Sequence, residues 1–377
     1  MHYIPYGRQS INDDDINAVV EILKSDFLTT GPKIAEFEEK FAQYVGAKYA
    51  VAVSNGTAAL HIACLAAGLK EGDKVITTPI TFAASSNCAL YCGATPVFVD
   101  IDPVTYNIDY RKIEKQITPN TKAIIPVHFM GQPCEMDEIH KIAKQYNLIV
   151  IEDAAHAVGA EYKGRKIGGL SDMTEFSFHP VKHITSGEGG MVTTNNELLY
   201  EKLKLFRTHG ITRNVNEMSR YDGAWYYEQI DLGYNYRITD LQAALGISQL
   251  SRVDLFLKRR REIALKYDEA FRNVSGITIP SQPEGTLSAY HLYVIKVHKT
   301  IRRELFDYLR NCNIGVNVHY IPVYTFPYYR EHGYEEVECL NAEELYESII
   351  SLPIFYDLTD EEQDYVIDKV ITFLKDR

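Results

Sequence analysis

The alternation of short apolar runs with helical patterns, between about residues 14 and 200, constrains the fold more than any other feature of this sequence. The apolar runs that we predict to be strands cover residues 49–53, 74–78, 96–100, 122–127 and 148–152. Helical patterns of about ten to fifteen residues separate them, which indicates βαβ units and a mostly parallel sheet. The runs are apolar throughout, as expected when helices cover both faces of a sheet.

The later part of the chain changes character. Thr239 and Gln242 have the spacing of a capping box, and the helical pattern that follows predicts one long helix that extends into the basic run at residues 258–261. We expect this basic run to be a solvated helix face. Mixed helices and strands follow, and we therefore predict a large domain of residues 1–255 and a smaller α+β domain of residues 256–377.

Composition excludes several classes of protein. Of the 377 residues, 46% are hydrophobic and 24% are charged, which excludes a disordered, collagen-like or coiled-coil chain. The net charge of −12 disfavours a nucleic-acid partner. The longest uncharged run, residues 51–69, is too polar to span a membrane, and no signal peptide is visible. Six cysteines are too few for a disulfide scaffold, and no metal-ligand cluster stands out, so we expect a cytoplasmic protein without a metal.

Three polar motifs follow predicted strands, at the edge where α/β sheets bind ligands. Residues 54–58 (SNGTA) open a helix whose N–H groups and hydroxyl can bind phosphate, although such residues also simply cap helices. Asp153 follows the strand at 148–152, where an acid can serve a site or cap the next element. Lys182 ends a further β-like run, residues 174–182, which also contains Ser177. A lysine with a lowered pKa can attack a carbonyl carbon, although most lysines are merely exposed.

Together these motifs have the chemistry that pyridoxal phosphate (PLP) requires. Lys182 would bond the aldehyde of the cofactor, and Asp153 would pair with the protonated pyridine nitrogen so that the ring can accept electrons. A charge-assisted hydrogen bond of this kind contributes roughly 1.5–3 kcal/mol. Hydroxyl groups and helix N–H groups would hold the phosphate, and Phe82 would lie on the ring face.

The same residues resemble a known family, the DegT/DnrJ/StrS-type sugar aminotransferases. The similar segments, in one order over nearly the whole chain, are residues 28–32, 54–60, 152–156, 176–182, 188–190, 232–237 and 318–324. The resemblance implies the α/β fold of aspartate aminotransferase (PLP fold type I). In that fold a large domain holds a mostly parallel central sheet flanked by helices, and a smaller C-terminal domain is α+β.

The resemblance also implies roles for individual residues. Lys182 would carry the cofactor and shuttle the proton between the two half-reactions, and Asp153 would bind the pyridinium nitrogen. The further cofactor-binding residues would be Thr57, Ala58, Phe82, His156, Ser177 and Asn235. Asn235 would reach the phosphate from the other subunit of a homodimer. His156 stands where many members of the family have glutamine.

Within the family, the sequence is most similar to the aminotransferases of pseudaminic acid biosynthesis, which serves cell-surface glycans such as those of flagellin. This similarity implies that L-glutamate donates an amino group to carbon 4 of a UDP-4-keto-6-deoxy-N-acetyl hexosamine of the L-arabino series. The product would be UDP-4-amino-4,6-dideoxy-N-acetyl-β-L-altrosamine, and the cofactor would alternate between PLP and pyridoxamine phosphate. The residues that would bind the nucleotide sugar are Tyr6, Leu28, Thr29, Asn317, Val318, His319 and Tyr320.

Alternatives stay open at this point. Asn317 stands where relatives often have glutamine, and His319 and Tyr320 can also be packing residues at a strand end. The substrate can be another nucleotide 4-keto sugar, either a UDP sugar of the D series or one linked to dTDP. A sugar dehydratase of the same family has histidine in place of the lysine, so Lys182 argues against it. A non-catalytic sensor of the cofactor–sugar adduct is disfavoured by Lys182, Asp153 and Ser177.

Overall fold

The computed structural model describes residues 2–375 of the chain. The helices are α1 (Asp13–Leu23), α2 (Pro32–Val45), α3 (Gly56–Ala66), α4 (Ala84–Tyr91), α5 (Tyr110–Ile113), α6 (Met136–Tyr146), α7 (Glu197–Arg207), α8 (Asp240–Leu250), α9 (Val253–Phe271), α10 (Lys299–Asn311), α11 (Pro327–Tyr329), α12 (Leu340–Ser348) and α13 (Asp360–Lys375). The strands are β1 (Tyr49–Val53), β2 (Lys74–Thr77), β3 (Thr95–Phe98), β4 (Thr121–Ile125), β5 (Ile149–Asp153), β6 (Glu161–Tyr162), β7 (Arg165–Lys166), β8 (Met173–Ser177), β9 (Gly190–Thr194), β10 (Ile211–Thr212), β11 (Glu228–Gln229), β12 (Ile277–Thr278), β13 (Thr286–Leu287), β14 (Tyr293–Val297) and β15 (Ile349–Leu352).

The central sheet has the strand order β1-β9-β8-β5-β4-β2-β3. The strands from β8 to β3 run parallel to one another, whereas β9 is antiparallel to both β1 and β8. This topology confirms the predicted mostly parallel α/β sheet. The predicted strands lie within two residues of the observed ones, and the main difference at the site is that β5 includes Asp153 instead of ending before it.

Side chains of the central strands alternate between two apolar layers. In β1, Ala50 and Ala52 face the layer that contains α2, α6 and α8, whereas Val51 and Val53 face the layer of α3, α4 and α7. Full burial of a valine side chain, as at Val51 and Val53, contributes roughly 1.5–3 kcal/mol. The helices therefore cover both faces of the sheet, which explains why the strands are apolar throughout.

Two helices begin as their sequences dictate. At the start of α2, Pro32 occupies the first helical position, where its missing N–H costs nothing. At the start of α8 the predicted capping box is present, since the Gln242 N–H donates to Thr239 Oγ1 (3.2 Å) and the Thr239 N–H donates to Gln242 Oε1 (3.0 Å).

The prediction of one long helix after Thr239 is wrong. Helix α8 ends at Leu250 and α9 begins at Val253. At the break, the Ser251 hydroxyl donates to the Ser248 carbonyl oxygen (2.6 Å), a local bond that competes with regular helix pairing. Neither glycine nor proline stands at the break, so the usual signal of a helix end is missing from the sequence.

The prediction that the basic run is a solvated helix face is also wrong at Arg260. Its side chain is only 2% exposed. Its guanidinium donates to the carbonyl oxygens of Tyr290 (3.1 Å), His291 (3.3 Å) and Ile354 (3.1 Å). A planar guanidinium can satisfy several carbonyl groups at once, so Arg260 binds α9 to two other segments of the chain. Lys258 is exposed, as expected.

A second sheet, with the order β12-β14-β15, packs with α9, α10 and α13 around a separate apolar cluster. Ile4 also belongs to this cluster and pairs with Ile314 through a β-bridge. The division at residues 255 and 256 stays a prediction, and it would fall inside α9. Among the helices of residues 2–375, none combines the length and the apolar character that crossing a bilayer requires.

Candidate active site

A cavity of about 890 Å³ lies beyond the carboxyl ends of β1, β5 and β8. This volume is within the usual range of about 300–1,000 Å³ for sites of small molecules and cofactors. The predicted site residues that line it are Tyr6, Thr57, Ala58, Phe82, Asp153, His156, Ser177, Lys182, Asn317, Val318, His319 and Tyr320. The fold therefore brings most of the predicted residues together around one space.

One end of the cavity is built from β1, the start of α3 and the end of β8. Asn55 caps α3 and its Oδ1 accepts the Ala58 N–H (2.8 Å), so the amide that we predicted for the phosphate serves the helix cap. The hydroxyl groups of Thr57 and Ser177 lie in the same wall. A Cβ on Gly56 would come within 3.1 Å of the Ser177 Cβ, a tight contact, so glycine favours this close approach of α3 to β8.

Asp153 forms the acidic part of the cavity at the end of β5, where it is 5% exposed. Its Oδ2 accepts the Ser85 hydroxyl (2.5 Å) and its Oδ1 accepts the Ala155 N–H (3.2 Å). Ser85 also lies 2.6 Å from the hydroxyl of Thr81. These donors fix the orientation of the carboxylate and leave it acceptor capacity toward the cavity.

Lys182 follows β8 on a loop and reaches into the same cavity. Burial lowers the pKa of Lys182 to about 8, although the negative charges of Asp153 and Glu175 act in the opposite direction. A substantial fraction of the amino group is therefore neutral, and nucleophilic, near physiological pH.

Histidines surround the lysine and are held neutral. Burial, followed by the charge of Lys182, lowers the pKa of His156 well below its ordinary value and the pKa of His319 to about 4. Burial also lowers the pKa values of His183 and His291. These four histidines therefore add no positive charge next to Lys182 near neutral pH.

Another wall comes from residues 317–320, which lie between β14 and β15 in the chain, and Asn317 pairs with Ser351 of β15 through a β-bridge. Tyr320 Oη lies 3.1 Å from His156 Nε2, so this contact joins the two walls. The ring of His319 is fixed by the Ser351 hydroxyl, 2.8 Å from Nδ1, and lies 5.5 Å from the ring of Tyr6. Phe82 is 65% exposed at the cavity and presents a free aromatic surface.

Three predicted residues do not line the cavity of their own chain. Leu28 is 46% exposed, and Thr29 pairs with Thr239 through a β-bridge. Asn235 is exposed and pairs with Thr208. The prediction for Asn235 placed it in the site of a second subunit, and that prediction stays open.

Among the cavity residues that sequence reasoning missed are Ser85, Glu175 and His291. Glu175 stands two residues before Ser177, so strand alternation places both on the cavity face, and this signal was available. Ser85 and His291 carry no comparable signal, because α4 and the segment before β14 approach the site only through tertiary packing.

The cavity fits PLP by its donor set. His156 Nδ1 is buried and has no hydrogen-bond partner among the described residues, although it lines the cavity. A ring hydroxyl next to it would satisfy this atom. Hydroxyl donors at one end, a carboxylate at the base and a lysine of lowered pKa match the phosphate, the pyridine nitrogen and the aldehyde of the cofactor.

A model of the DegT/DnrJ/EryC1/StrS aminotransferase family matches residues 9–371. The chain belongs to this family. An uncharacterized protein of Methanocaldococcus jannaschii is 48% identical over 98% of this chain and 97% of its own length. The spore coat polysaccharide biosynthesis protein SpsC of Bacillus subtilis is 44% identical over 99% of this chain and 98% of its own length. The UDP-4-amino-4,6-dideoxy-N-acetyl-beta-L-altrosamine transaminase of Campylobacter jejuni is 40% identical over 99% of this chain and 98% of its own length.

Solved structures agree with the sequence relatives. Helicobacter pylori PseC, an aminotransferase of pseudaminic acid biosynthesis, superposes with a TM-score of 0.93 at 33% identity, over 100% of both chains. The sugar aminotransferase Spr1654 of Streptococcus pneumoniae, known in PMP and PLP forms, gives 0.93 and 0.92 at 33% and 32% identity, over 99% or more of each chain. These findings confirm the predicted fold type I, the predicted cofactor and the predicted class, a PLP-dependent sugar aminotransferase.

Proposed function

We propose that this family member transfers the amino group of L-glutamate to carbon 4 of a UDP-4-keto-6-deoxy-N-acetyl-L-hexosamine. The product would be UDP-4-amino-4,6-dideoxy-N-acetyl-β-L-altrosamine, a precursor of pseudaminic acid. The observation that carries the chemistry is the placement of Lys182, with a pKa near 8, in one cavity with Asp153. The substrate is supported by the Campylobacter transaminase at 40% identity.

Lys182 is the proposed proton carrier. When bound, PLP supplies an aldehyde that bonds amines and a ring that stabilises negative charge on the neighbouring carbon. The neutral Nζ of Lys182 would take a proton from the reacting carbon of glutamate and return one to carbon 4 of the sugar. Its neutral histidine neighbours do not compete for this proton, because burial has lowered their pKa values.

The other cavity residues would orient the reactants. The Asp153 carboxylate, held by Ser85 and the Ala155 N–H, would stabilise the positive charge on the ring nitrogen. The Thr57 and Ser177 hydroxyls would donate to the phosphate, and His156 Nδ1 would bond the ring hydroxyl. Phe82 would cover one face of the ring and thereby exclude water from it.

The sugar would lie against Tyr6 and residues 317–320, which line the same cavity as Lys182. Tyr320 offers a hydroxyl on a ring whose position is fixed by His156. The two ring nitrogens of His319 are engaged with Ser351 and Asn317, so His319 positions the Asn317 amide. Asn317 contributes an amide to the same wall. Neutral donors of this kind suit a sugar that carries hydroxyl and acetamido groups.

The test is a substrate comparison with purified enzyme and PLP. We expect glutamate-dependent release of 2-oxoglutarate with the L-arabino UDP-4-keto sugar and much less with the D-series UDP sugar or a dTDP sugar. Lys182→Ala should abolish turnover, and Lys258→Ala, at an exposed lysine, is the matched control. Turnover of Lys182→Ala at the wild-type rate would refute the proposed role of Lys182. Equal rates with all of these sugars would refute the proposed preference for the L-arabino UDP sugar.

A second candidate substrate is another nucleotide 4-keto sugar. The observation that favours it is that SpsC, a protein of spore coat polysaccharide biosynthesis, is 44% identical, against 40% for the altrosamine transaminase. The same comparison of sugars separates the two candidates, because activity confined to a D-series or dTDP sugar would retain the transaminase and change only its substrate.

A further inference from the structure

Glu175 is a second acid in the cavity that the proposed reaction does not use. It lies in β8 directly beside Asp153 of β5, because these two residues are partners in the parallel ladder. Both line the cavity, and Glu175 is only 1% exposed. The register of the two strands thus places two carboxyl groups side by side at the base of the site.

The other face of the same two strands shows how a buried carboxylate is normally satisfied. The preceding ladder pair is Glu152 and Thr174, and Glu152 lies 2.7 Å from His128 Nε2 and accepts the Thr174 hydroxyl (3.1 Å). Glu175 has no such partners, since neither of its oxygens meets a donor within residues 2–375. An ionised carboxylate in this position would be both buried and unpaired, which is strongly unfavourable.

The groups around Glu175 include another acid, one cation and a thiol. Asp153 faces it from β5, Lys182 from the loop after β8, and Cys88 from α4. From α3, Gly56 approaches so closely that a Cβ there would lie 2.5 Å from Glu175 Oε1. On β9 its ladder partner is the apolar Val192. Glycine at position 56 therefore makes room for the Glu175 carboxyl group.

These surroundings favour the protonated form of Glu175. Burial raises the pKa of Glu175 well above its ordinary value, and the charge of the neighbouring Asp153 raises it further, against the opposing charge of Lys182. As a neutral acid, Glu175 has an acceptor next to it in Asp153, whereas as a carboxylate it has no donor.

We propose that Glu175 keeps its proton at neutral pH and donates it in a hydrogen bond to the Asp153 carboxylate. Glu175 is then a positioning residue, because it acts on the cofactor only through Asp153. The pair carries one negative charge instead of two, and Asp153 becomes a weaker base toward the ring nitrogen. The effect on the ring nitrogen rests on the proposed role of Asp153, whereas the protonation of Glu175 does not.

The first test uses the protein without cofactor and the isosteric, uncharged variant Glu175→Gln. A raised folded-state pKa means that the wild type loses stability relative to this variant as pH rises above the unfolded-state pKa of about 4.5. We expect the ratio of the two folding constants, from urea unfolding at pH 5, 6 and 7, to grow by up to about tenfold per pH unit in favour of Glu175→Gln. A constant ratio across this range would overturn the proposal.

The second test uses the PLP-loaded protein and the pH titration of the absorption band of the bound cofactor. Glu175→Gln keeps a neutral donor and should titrate as the wild type does, whereas Glu175→Met lacks the donor. Asp153 then becomes more basic. We therefore expect the proton whose loss changes the cofactor band to be bound about threefold to tenfold more tightly in Glu175→Met than in the wild type. Equal titrations of the Gln and Met variants would overturn the donor role. So would a proton affinity about tenfold lower in Glu175→Gln than in the wild type.

Asp153→Asn is the control that separates this inference from the proposed function. It should shift the titration of the same band strongly, since it removes the charge next to the ring. An unchanged titration in Asp153→Asn would refute the role proposed for Asp153, while the cofactor-free comparison would still decide whether Glu175 holds its proton.

Discussion

The reactivity of the site depends on one amino group and the charges near it. Burial lowers the pKa of Lys182 to about 8, and Asp153 and Glu175 limit the decrease because their charges favour the protonated lysine. A Glu175 that holds its proton adds little to this opposing effect. The proton on one acid thus influences how nucleophilic the lysine is.

We predict that the rate at which the cofactor-free protein captures PLP follows the neutral fraction of Lys182. A group with a pKa near 8 gains neutral form by about tenfold per pH unit up to pH 7 and levels off above pH 8 to 9. Stopped-flow absorbance at pH 6 to 10 measures this rate, and Lys182→Ala shows the background. A rate that keeps rising through pH 10, as for an exposed lysine, would contradict the lowered pKa.

Individual site residues were predictable where they follow strands. Asp153, Ser177 and Lys182 stand at or beyond the carboxyl ends of apolar runs, and the structure lines one cavity with all three. Ser85 was not predictable, since its bond to Asp153 spans 68 positions of the chain and depends on how α4 packs. The distinct surroundings of Glu152 and Glu175 likewise arise only when the strands pair.

At the scale of elements, α9 shows what a sequence pattern leaves undetermined. The capping box before α8 was readable because both partners lie within four residues. The break after α8 and the burial of Arg260 were not readable, because both depend on contacts with residues far along the chain. A run of basic residues has the same helical pattern whether it meets water or carbonyl groups.

We predict that Arg260→Met destabilises the fold by roughly 2–5 kcal/mol, because three carbonyl oxygens lose their donor inside the protein. Lys258→Met, two positions earlier on an exposed side of the same helix, should change the free energy of unfolding by less than about 0.5 kcal/mol. Urea titration of the cofactor-free protein measures both. A loss below about 1 kcal/mol in Arg260→Met would show that these bonds are dispensable.

At the scale of the molecule, the site combines distant parts of the chain. The walls come from the N-terminal segment, the central sheet and residues 317–320. The contact between Tyr320 and His156 joins residues 164 positions apart. Asn235 lies outside the cavity of its own chain and is exposed, which is compatible with the proposal that it completes the site of a second copy.

We predict that two inactive variants complement each other if the sites are shared in a homodimer. A mixed dimer of Lys182→Ala and Asn235→Ala contains one site with both residues intact, so random mixing should restore about a quarter of the wild-type activity. Each variant alone, refolded or exchanged in the same way, is the control. Mixtures as inactive as the separate variants would place Asn235 outside the partner's site.

The antiparallel strand β9 has a consequence for the freedom of the chain around the lysine. Ser177 ends β8 and pairs with Gly190, which begins β9, so residues 178–189 form a loop whose two ends are fastened to each other. Lys182 lies within this closed loop, whose conformational entropy is largely lost when the sheet forms. Folding thus restricts the lysine in advance, and a ligand that binds it has less disorder left to remove.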